Sequence, residues 1–543
     1  MLLLGAPLRA QSAAMVPASS PLYDRLESIS AFFPIRGLSL GERPLSRREI
    51  QRVLDRLALA IDSAFVCPAR KEWARHELAA VSTSMNRERG VYRTPRSVLA
   101  FANREELFAS DARSERFITN GFGTLDALTN PFEATPPRQG WPTIRGVSLI
   151  AGMSTLFGLG RQFALTVEPL LMVTDPRDDT THPNARLHRA SVRGVLRNVA
   201  IDVGADERKW GQSPIGSMFI SGNAQPLPAV SIGVDTPITL PWLFRLAGPV
   251  RGTLMVAELG GDQDPPHAKL AGWQVTMTPW ARFELGVAVQ AQTGGNGGPP
   301  ATFFRRVVDL IPVIDAISPQ HADLQMSNKL AGGNLRLRFP ELSGLDFYYE
   351  LQIDDFDARR LRSSLVDDAG HLLGLRLPLL VRGGELTWRA EWHHTSLRLY
   401  EHSQFRSGVT YHDHIIGNPL GPNASGAYLS VAWRPSSATQ LALQLAEETR
   451  DPSFYATTSA NGRDVGFRFV RLSDDPDIRR RRGLLSLERP LAFGAISIEA
   501  GYNHTWRTGG MRPGYNGVWR TVAPARNEWI GRLAMRSHLL PTF

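Results

Sequence analysis

The stretch Gly384-Glu-Leu-Thr-Trp-Arg-Ala-Glu-Trp-His393 decides how this chain folds. Leu386, Trp388, Ala390 and Trp392 take every second position, with Glu385, Thr387, Arg389, Glu391 and His393 between them. Successive side chains of a strand point to opposite faces, so the segment reads as a strand with one greasy face and one ionised face. Leu345–Asp354 repeats the pattern: Phe347, Tyr349, Leu351 and Ile353 stand opposite Asp346, Tyr348, Glu350, Gln352 and Asp354. In Ala495–Tyr502 the residues Ile496, Ile498, Ala500 and Tyr502 oppose Ser497, Glu499 and Gly501, and Leu441, Leu443 and Leu445 alternate with Ala442, Gln444 and Ala446.

Outward from these segments the period of two runs from about residue 140 to the end. Further candidates lie at 146–157, 161–173, 188–204, 250–259, 270–279, 281–291, 333–340, 371–381, 426–434, 464–472, 483–490 and 527–543, with a bulge needed to keep 188–204 in phase. Strands of roughly 10 residues with alternately short and long connections are the pattern of a transmembrane barrel. The longest apolar runs, such as Val147–Ile150 and Leu377–Val381, are far below the ~20 residues of a spanning helix. The soluble rival, a sandwich array or propeller, lacks support because no blade-like repeat is found. The last segment sets Trp529, Gly531, Leu533, Met535, Ser537, Leu539 and Phe543 on one face, against Arg532, Arg536 and His538. The fold expected is therefore all-β: a large antiparallel transmembrane barrel of about 18 strands with a short N-terminal helical segment.

Three regions are expected. Residues 1–19 read as a signal peptide or disordered N-terminus: Met1-Leu-Leu-Leu-Gly-Ala-Pro-Leu-Arg-Ala10 has a short apolar core and a small-residue cleavage pattern but no charged start. Residues 20–90 read as a helical element on the periplasmic side, and 91–543 as the barrel. Ser46-x-x-Glu49 is a candidate capping box for a helix whose Ile50, Val53, Leu54 and Leu57 share a face, and a second helix is expected from Glu72 to about Ser84.

Composition narrows the function classes. One cysteine, Cys67, excludes an internal disulfide framework and a thiolate metal site. The net charge of +9 favours an anionic partner: nucleic acid, lipid head groups or acidic polysaccharide. Nucleic acid finds no recognition element beside the arginines. His393, His394, His402, His412 and His414 cluster, and His412-x-His414 at strand spacing would aim both rings one way, but no ligand set is completed and no metal or cofactor is expected. Arg479–Arg482, after Asp474-Asp-Pro-Asp477, is either a cationic patch or a solvated loop. Gly211-Gln-Ser-Pro-Ile-Gly216 lacks the nucleophile-elbow spacing, and Thr293-Gly-Gly-Asn-Gly-Gly298 lacks the lysine of a phosphate cradle.

Two segments carry a resemblance. One is Lys209-Trp-Gly-Gln-Ser-Pro-Ile-Gly-Ser-Met-Phe-Ile-Ser-Gly-Asn-Ala-Gln-Pro-Leu-Pro228; the other runs through Trp392-His-His-Thr395 and Tyr400-Glu-His402 to Tyr411-His-Asp-His-Ile-Ile-Gly-Asn-Pro-Leu-Gly421. Both resemble the capsule-assembly Wzi family of Gram-negative outer membranes through Trp210, Gly211, Pro214, Ile416, Gly417, Pro419, Leu420 and Gly421. The resemblance implies a monomeric, non-enzymatic barrel, exported through the periplasm to the outer membrane. It implies binding of capsular or other acidic polysaccharide at the cell surface, amid outer-membrane lipid and lipopolysaccharide. Trp210, Asn223, Arg406, Tyr411 and His412 are the candidate carbohydrate-binding residues, since aromatic faces stack on sugars and arginine bonds acidic groups bidentately. A diffusion porin is the alternative; an outer-membrane lipid hydrolase is a third, and would need a serine within reach of a histidine.

Overall fold

A computed structural model of the chain describes residues 13–87, 92–102, 122–124, 146–159, 162–176, 182–298, 302, 310, 327–354, 361–366, 368–381, 384–402, 404–405, 407–412, 414–435, 439–450, 454–460, 463–470, 478–491, 494–507, 512–513, 519–520 and 526–537. Among them one antiparallel sheet holds nineteen strands, of which Ile238–Thr239 is a two-residue stub. The other eighteen are β1 (Tyr92–Ala102), β2 (Gly146–Leu159), β3 (Phe163–Pro176), β4 (His182–Leu196), β5 (Val199–Ala205), β6 (Pro228–Val234), β7 (Pro249–Glu258), β8 (Lys269–Trp280) and β9 (Phe283–Thr293), continued by β10 (Ser327–Phe339), β11 (Leu345–Asp354), β12 (Ala369–Val381), β13 (Gly384–Thr395), β14 (Ala424–Arg434), β15 (Gln440–Arg450), β16 (Ile478–Leu491), β17 (Gly494–Arg507) and β18 (Arg526–Ser537). Each pairs with the next in this order, and β18 pairs with β1 from Ile530↔Ala102 to Arg536↔Arg96, so the ladder returns on itself as a closed barrel. Closure leaves no strand edge to be satisfied in lipid.

The period of two sorts the wall as read from the sequence. In β13, Trp388 and Trp392 are exposed on the outside, while Glu385, Arg389, Glu391 and His393 are buried inside. Leu254 and Val256, Leu373 and Leu375, and Leu441, Leu443 and Leu445 continue the outer apolar band. That band is what a bilayer would cover.

Three features of the wall differ from the sequence reading. The segment 188–204 is two strands rather than one: β4 ends at Leu196 and β5 begins at Val199, with Arg197 turned to φ +56° between them. The bulge expected of this segment falls at its first residue: Glu168 pairs with Arg189 and Pro169 with Leu187, which leaves His188 as the extra residue opposite a proline that cannot donate to the ladder. Residues Arg463–Val470 leave the ring and pair with Phe454–Ala460 in a separate three-stranded sheet. Arg479–Arg482 is not a loop but lies within β16, where Arg480 Nε donates to the buried Glu448 (2.8 Å) and Arg481 reaches Glu447 outside. The end of the chain beyond Ser537, Phe543 included, lies outside the described residues.

The N-terminal segment closes one end. Short turns join the strands there, at 196–199, 280–283 and 381–384, while the long connections gather at the other end. Helices α1 (Leu22–Phe32), α2 (Arg47–Ser63) and α3 (Pro68–Arg87) share an apolar core that includes Leu26, Ile29, Ile50, Leu54, Leu57 and Val81. The Ser46 oxygen accepts the Glu49 amide (3.1 Å), as the capping pattern requires, but Glu49 does not reach back: its carboxylate takes Arg251 of β7 (3.2 Å). Residues 13–19, read with the leader, pack here. Ala13 and Ala14 are buried against Leu156, Ala164, Val195 and Ala200 of the wall, and Met15–Val16 pairs with Leu45–Ser46.

Helix α1 is not simply packed on the body. It enters the lumen, where Glu27 meets Arg336 (2.5 Å), Arg389 (2.7 Å) and Arg376 (3.5 Å), and the Ser28 hydroxyl donates to Glu385 (2.6 Å). Burial would push the Glu27 carboxyl up, but Arg389, Arg336 and Arg376 outweigh it and hold it well below the usual range. Three cations around one buried carboxylate offset a desolvation cost that none of them could bear alone.

Candidate functional site

The site is built from two connections at the long-loop end. The first runs from β5 to β6 and folds back into the lumen. Lys209–Trp210 pairs with Glu42–Arg43, and beyond it the chain makes neither helix nor strand, so its backbone donors need side-chain acceptors. Glu350 of β11 supplies them: its carboxylate accepts the amides of Gln212 (2.5 Å), Ser213 (2.9 Å) and Met218 (2.8 Å). Gln212 Nε2 donates to Glu284 (3.0 Å) and Asn334 (2.8 Å), and its carbonyl oxygen accepts Arg336 Nε (2.9 Å). Gly211 sits at φ +136°, where a Cβ would meet Ser217 Oγ at 2.5 Å and Glu350 Oε2 at 2.6 Å; only glycine fits.

The second connection, between β13 and β14, lies over the first. Asn418 Nδ2 donates to the Gly216 carbonyl (2.9 Å), Ser221 Oγ to that of Gly417 (2.6 Å), Asn223 Nδ2 to that of Ile415 (2.8 Å), and the Tyr400 hydroxyl to that of Met218 (2.6 Å). A Cβ on Gly216 would strike Pro419 at 2.2 Å. The two segments singled out in the sequence, 192 residues apart at Asn223 and Ile415, thus meet in the barrel. Trp210, Met218, Phe219, Tyr400, Phe405, Ile415 and Ile416 form one apolar cluster with inward-facing Met255, Leu270, Leu330, Tyr348 and Leu372. Side chains of this chain fill the lumen from both ends.

Of the five candidate binding residues, two reach the surface. Trp210 and Asn223 are each 1% exposed and hold the plug together. Arg406 lies outside the described residues. Tyr411 rests on the apolar cluster with its outer part open, 4.2 Å between ring centroids from His412. Burial pushes the Tyr411 phenol up, so it stays a neutral hydroxyl. His412 and His414 do not share a strand face. His412 lies in the turn of a hairpin, at φ +49°, and His414 begins its second strand; His412 Nδ1 lies 2.9 Å from Asp262, and His414 Nδ1 lies 2.7 Å from the His412 carbonyl.

The sequence did not single out the partners across this rim. Asp262 stands on the β7–β8 loop, which is tied to the hairpin by Asp264 N to Ser407 Oγ (2.7 Å) and Gln263 Nε2 to Thr410 Oγ1 (3.2 Å). Glu258, His267 and Lys269 form an adjoining exposed group, with His267 Nδ1 2.7 Å from Glu258 and Lys269 bonded to the same carboxylate. An open aromatic face ringed by carboxylates, imidazoles and an ammonium can both stack on a sugar ring and exchange hydrogen bonds with hydroxyl and acidic groups.

The hydrolase and metal patterns gain nothing. Ser213 Oγ donates to Glu391 (2.5 Å), and the same carboxylate, not the serine, is the partner of His393 (2.8 Å). Among the described residues no group of three or more His, Cys, Asp or Glu side chains is placed to hold a metal.

Residues 132–472 match the family model of the capsule assembly protein Wzi. The chain belongs to the Wzi family. A Klebsiella pneumoniae protein of the cps region, of 55.8 kDa and uncharacterised, is 25% identical over 149 residues, 27% of this chain and 29% of that relative's length. Among solved structures, the Escherichia coli outer-membrane protein Wzi, described as a carbohydrate-binding β-barrel involved in group 1 capsule assembly, aligns over 98% of this chain and 100% of its own, with a TM-score of 0.67 at 15% identity. The Pseudomonas aeruginosa protein OccK5 (OpdH) aligns over 83% of this chain and 98% of its own, with a TM-score of 0.42 at 9% identity. The Wzi match thus spans both plug segments and the hairpin that carries Tyr411.

Proposed function

We propose that this Wzi-family barrel sits in the outer membrane and holds an acidic surface polysaccharide at its long-loop face during capsule assembly, working by binding and not by catalysis. One observation carries the reading: the chain's own segments 209–223 and 396–421 fill the lumen, which supports attachment at a surface over diffusion through a pore. The E. coli relative's carbohydrate binding agrees with it. Tyr411 and His412 contact the glycan, with Asp262, His267 and Lys269 beside them; Trp210 and Asn223 act from below by fixing the loops, and Arg406 belongs to the same connection. The barrel works as a monomer surrounded by phospholipid and lipopolysaccharide.

The test is retention of an acidic capsular polysaccharide by detergent-purified full-length protein. Tyr411→Ala and His412→Ala weaken retention by about fivefold or more, as losing a central aromatic contact does, while the barrel's heat-dependent gel shift is unchanged. Unaltered retention in both variants and in Asp262→Asn would move the site elsewhere.

A further inference from the structure

At the short-turn end, the connection between β6 and β7 does something no other described turn does. After the stub Ile238–Thr239, the chain makes a short 3-10 helix, Trp242–Ala247, in which no residue is buried. Trp242 is 89% exposed, Leu243 82%, Phe244 68% and Leu246 79%. Four large apolar side chains on so short a helix would be a costly surface in water. Nor is the turn a loose loop. Ile238–Thr239 pairs with Val250–Pro249, Gly248 N donates to the Arg245 carbonyl (3.0 Å), and a Cβ on Gly248 would strike the Thr278 carbonyl at 2.2 Å. Trp242 itself is held at φ +57°, a conformation that a bulky residue adopts only when its surroundings impose it.

The position of the turn says what covers it. Ile238 lies directly opposite Val250, which shares its face of β7 with Leu254 and Val256, so the stub continues the outer apolar band. Around the same rim, Trp280 is 63% exposed and packs against Phe283 at 5.7 Å between centroids. Arg245 is exposed in the middle of the turn, and a cation there suits a lipid phosphate.

We infer that Trp242–Ala247 is an interfacial anchor: Trp242, Leu243, Phe244 and Leu246 insert at the boundary between head groups and acyl chains of the inner, phospholipid leaflet, with Arg245 on a phosphate. The anchor fixes the depth and tilt of the barrel at the end that holds the helices, so the polysaccharide face opposite keeps a constant height above the membrane.

The test uses the full chain in nanodiscs of phosphatidylethanolamine and phosphatidylglycerol. The single native cysteine, Cys67, lies exposed between α2 and α3 and serves as the reference position for an environment-sensitive dye. The dye is then moved to the turn in Cys67→Ser/Leu243→Cys. At 243 its emission shifts to the blue, aqueous iodide quenches it about threefold less than at 67, and phospholipid carrying a nitroxide near the head group quenches it strongly. Iodide quenching equal at the two positions, with no response to the nitroxide lipid, would place the turn in water and overturn the inference. Shielding that grows with the protein-to-lipid ratio would put a second copy there instead, and would overturn it equally.

Discussion

Replacing Glu350 with alanine should loosen the plug at residues 212–218 without opening the wall. The side chain points inward from the middle of β11, so the ladder with β10 and β12 does not depend on it. What depends on it are three amides, of Gln212, Ser213 and Met218, whose one acceptor it is in a segment with no regular structure. A hydrogen bond to a charged group contributes roughly 1.5–3 kcal/mol, and water entering the gap recovers part of the loss, so about 4 kcal/mol is the expected local cost. That is roughly a 1,000-fold shift of the local opening equilibrium. Amide hydrogen exchange of the 209–223 segment in detergent micelles reads it directly: protection at those three amides falls by two to three orders of magnitude (an estimate from the same bond energies), while the amides of β11 stay protected. Unchanged protection at Gln212, Ser213 and Met218 would refute the claim that this carboxylate holds the 212–218 turn, and equal loss throughout β11 would mean that it supports the wall.

Other outcomes follow from the same geometry. Leu375→Arg, in the outer band of β12, should cost ~2–4 kcal/mol in the equilibrium of folding into liposomes if it lies near the bilayer midplane. Glu27→Ala removes the carboxylate that Arg336, Arg376 and Arg389 share, leaving them Asp346, Glu385 and Glu391 on the wall, and should destabilise the docking of α1 by about 3 kcal/mol, seen as proteolysis within residues 20–33 of an intact barrel. Burial pushes the Glu401 carboxyl from 4.5 up to about 8, against the pull of Arg450. The folded loop therefore keeps a proton that the unfolded chain releases; this stabilisation is complete below about pH 4.5 and is lost as pH rises through about 8. Exchange of the amides from 396 to 412 should accelerate between pH 6 and pH 9 beyond the intrinsic rate, and Glu401→Gln should flatten that rise; a wild-type loop indifferent to pH would contradict it.

What was legible in the sequence tracks where a single physical rule governs. Strands such as β11, β13 and β17 face lipid on one side and ionised lumen on the other, so alternation is strict and readable. Helix α2 carries its own signals, a serine cap and an apolar stripe. Helix α1 does not, because it lies inside a charged lumen where Glu27, Ser28 and Ser30 are buried beside Leu26 and Ile29, and no face is plainly polar. Strand β1 is not legible because Arg93, Pro95 and Arg96 interrupt its alternation, and the turn at Arg197-Asn198 is hidden because the two strands it joins keep nearly one phase. The plug segments were legible by likeness to a family, not by chemistry: their conformation comes from Glu350, Glu284 and Asn334, far off in sequence. The rim pair of Asp262 and His412 is separated by 150 residues, and only the closed ring brings them together.

The most direct test of the account is conductance of the wild-type barrel in a planar bilayer, recorded on the same preparation that is assayed for acidic polysaccharide. A filled lumen predicts an electrically silent insertion together with retained glycan. Steady open-pore current through protein that holds no glycan would contradict it.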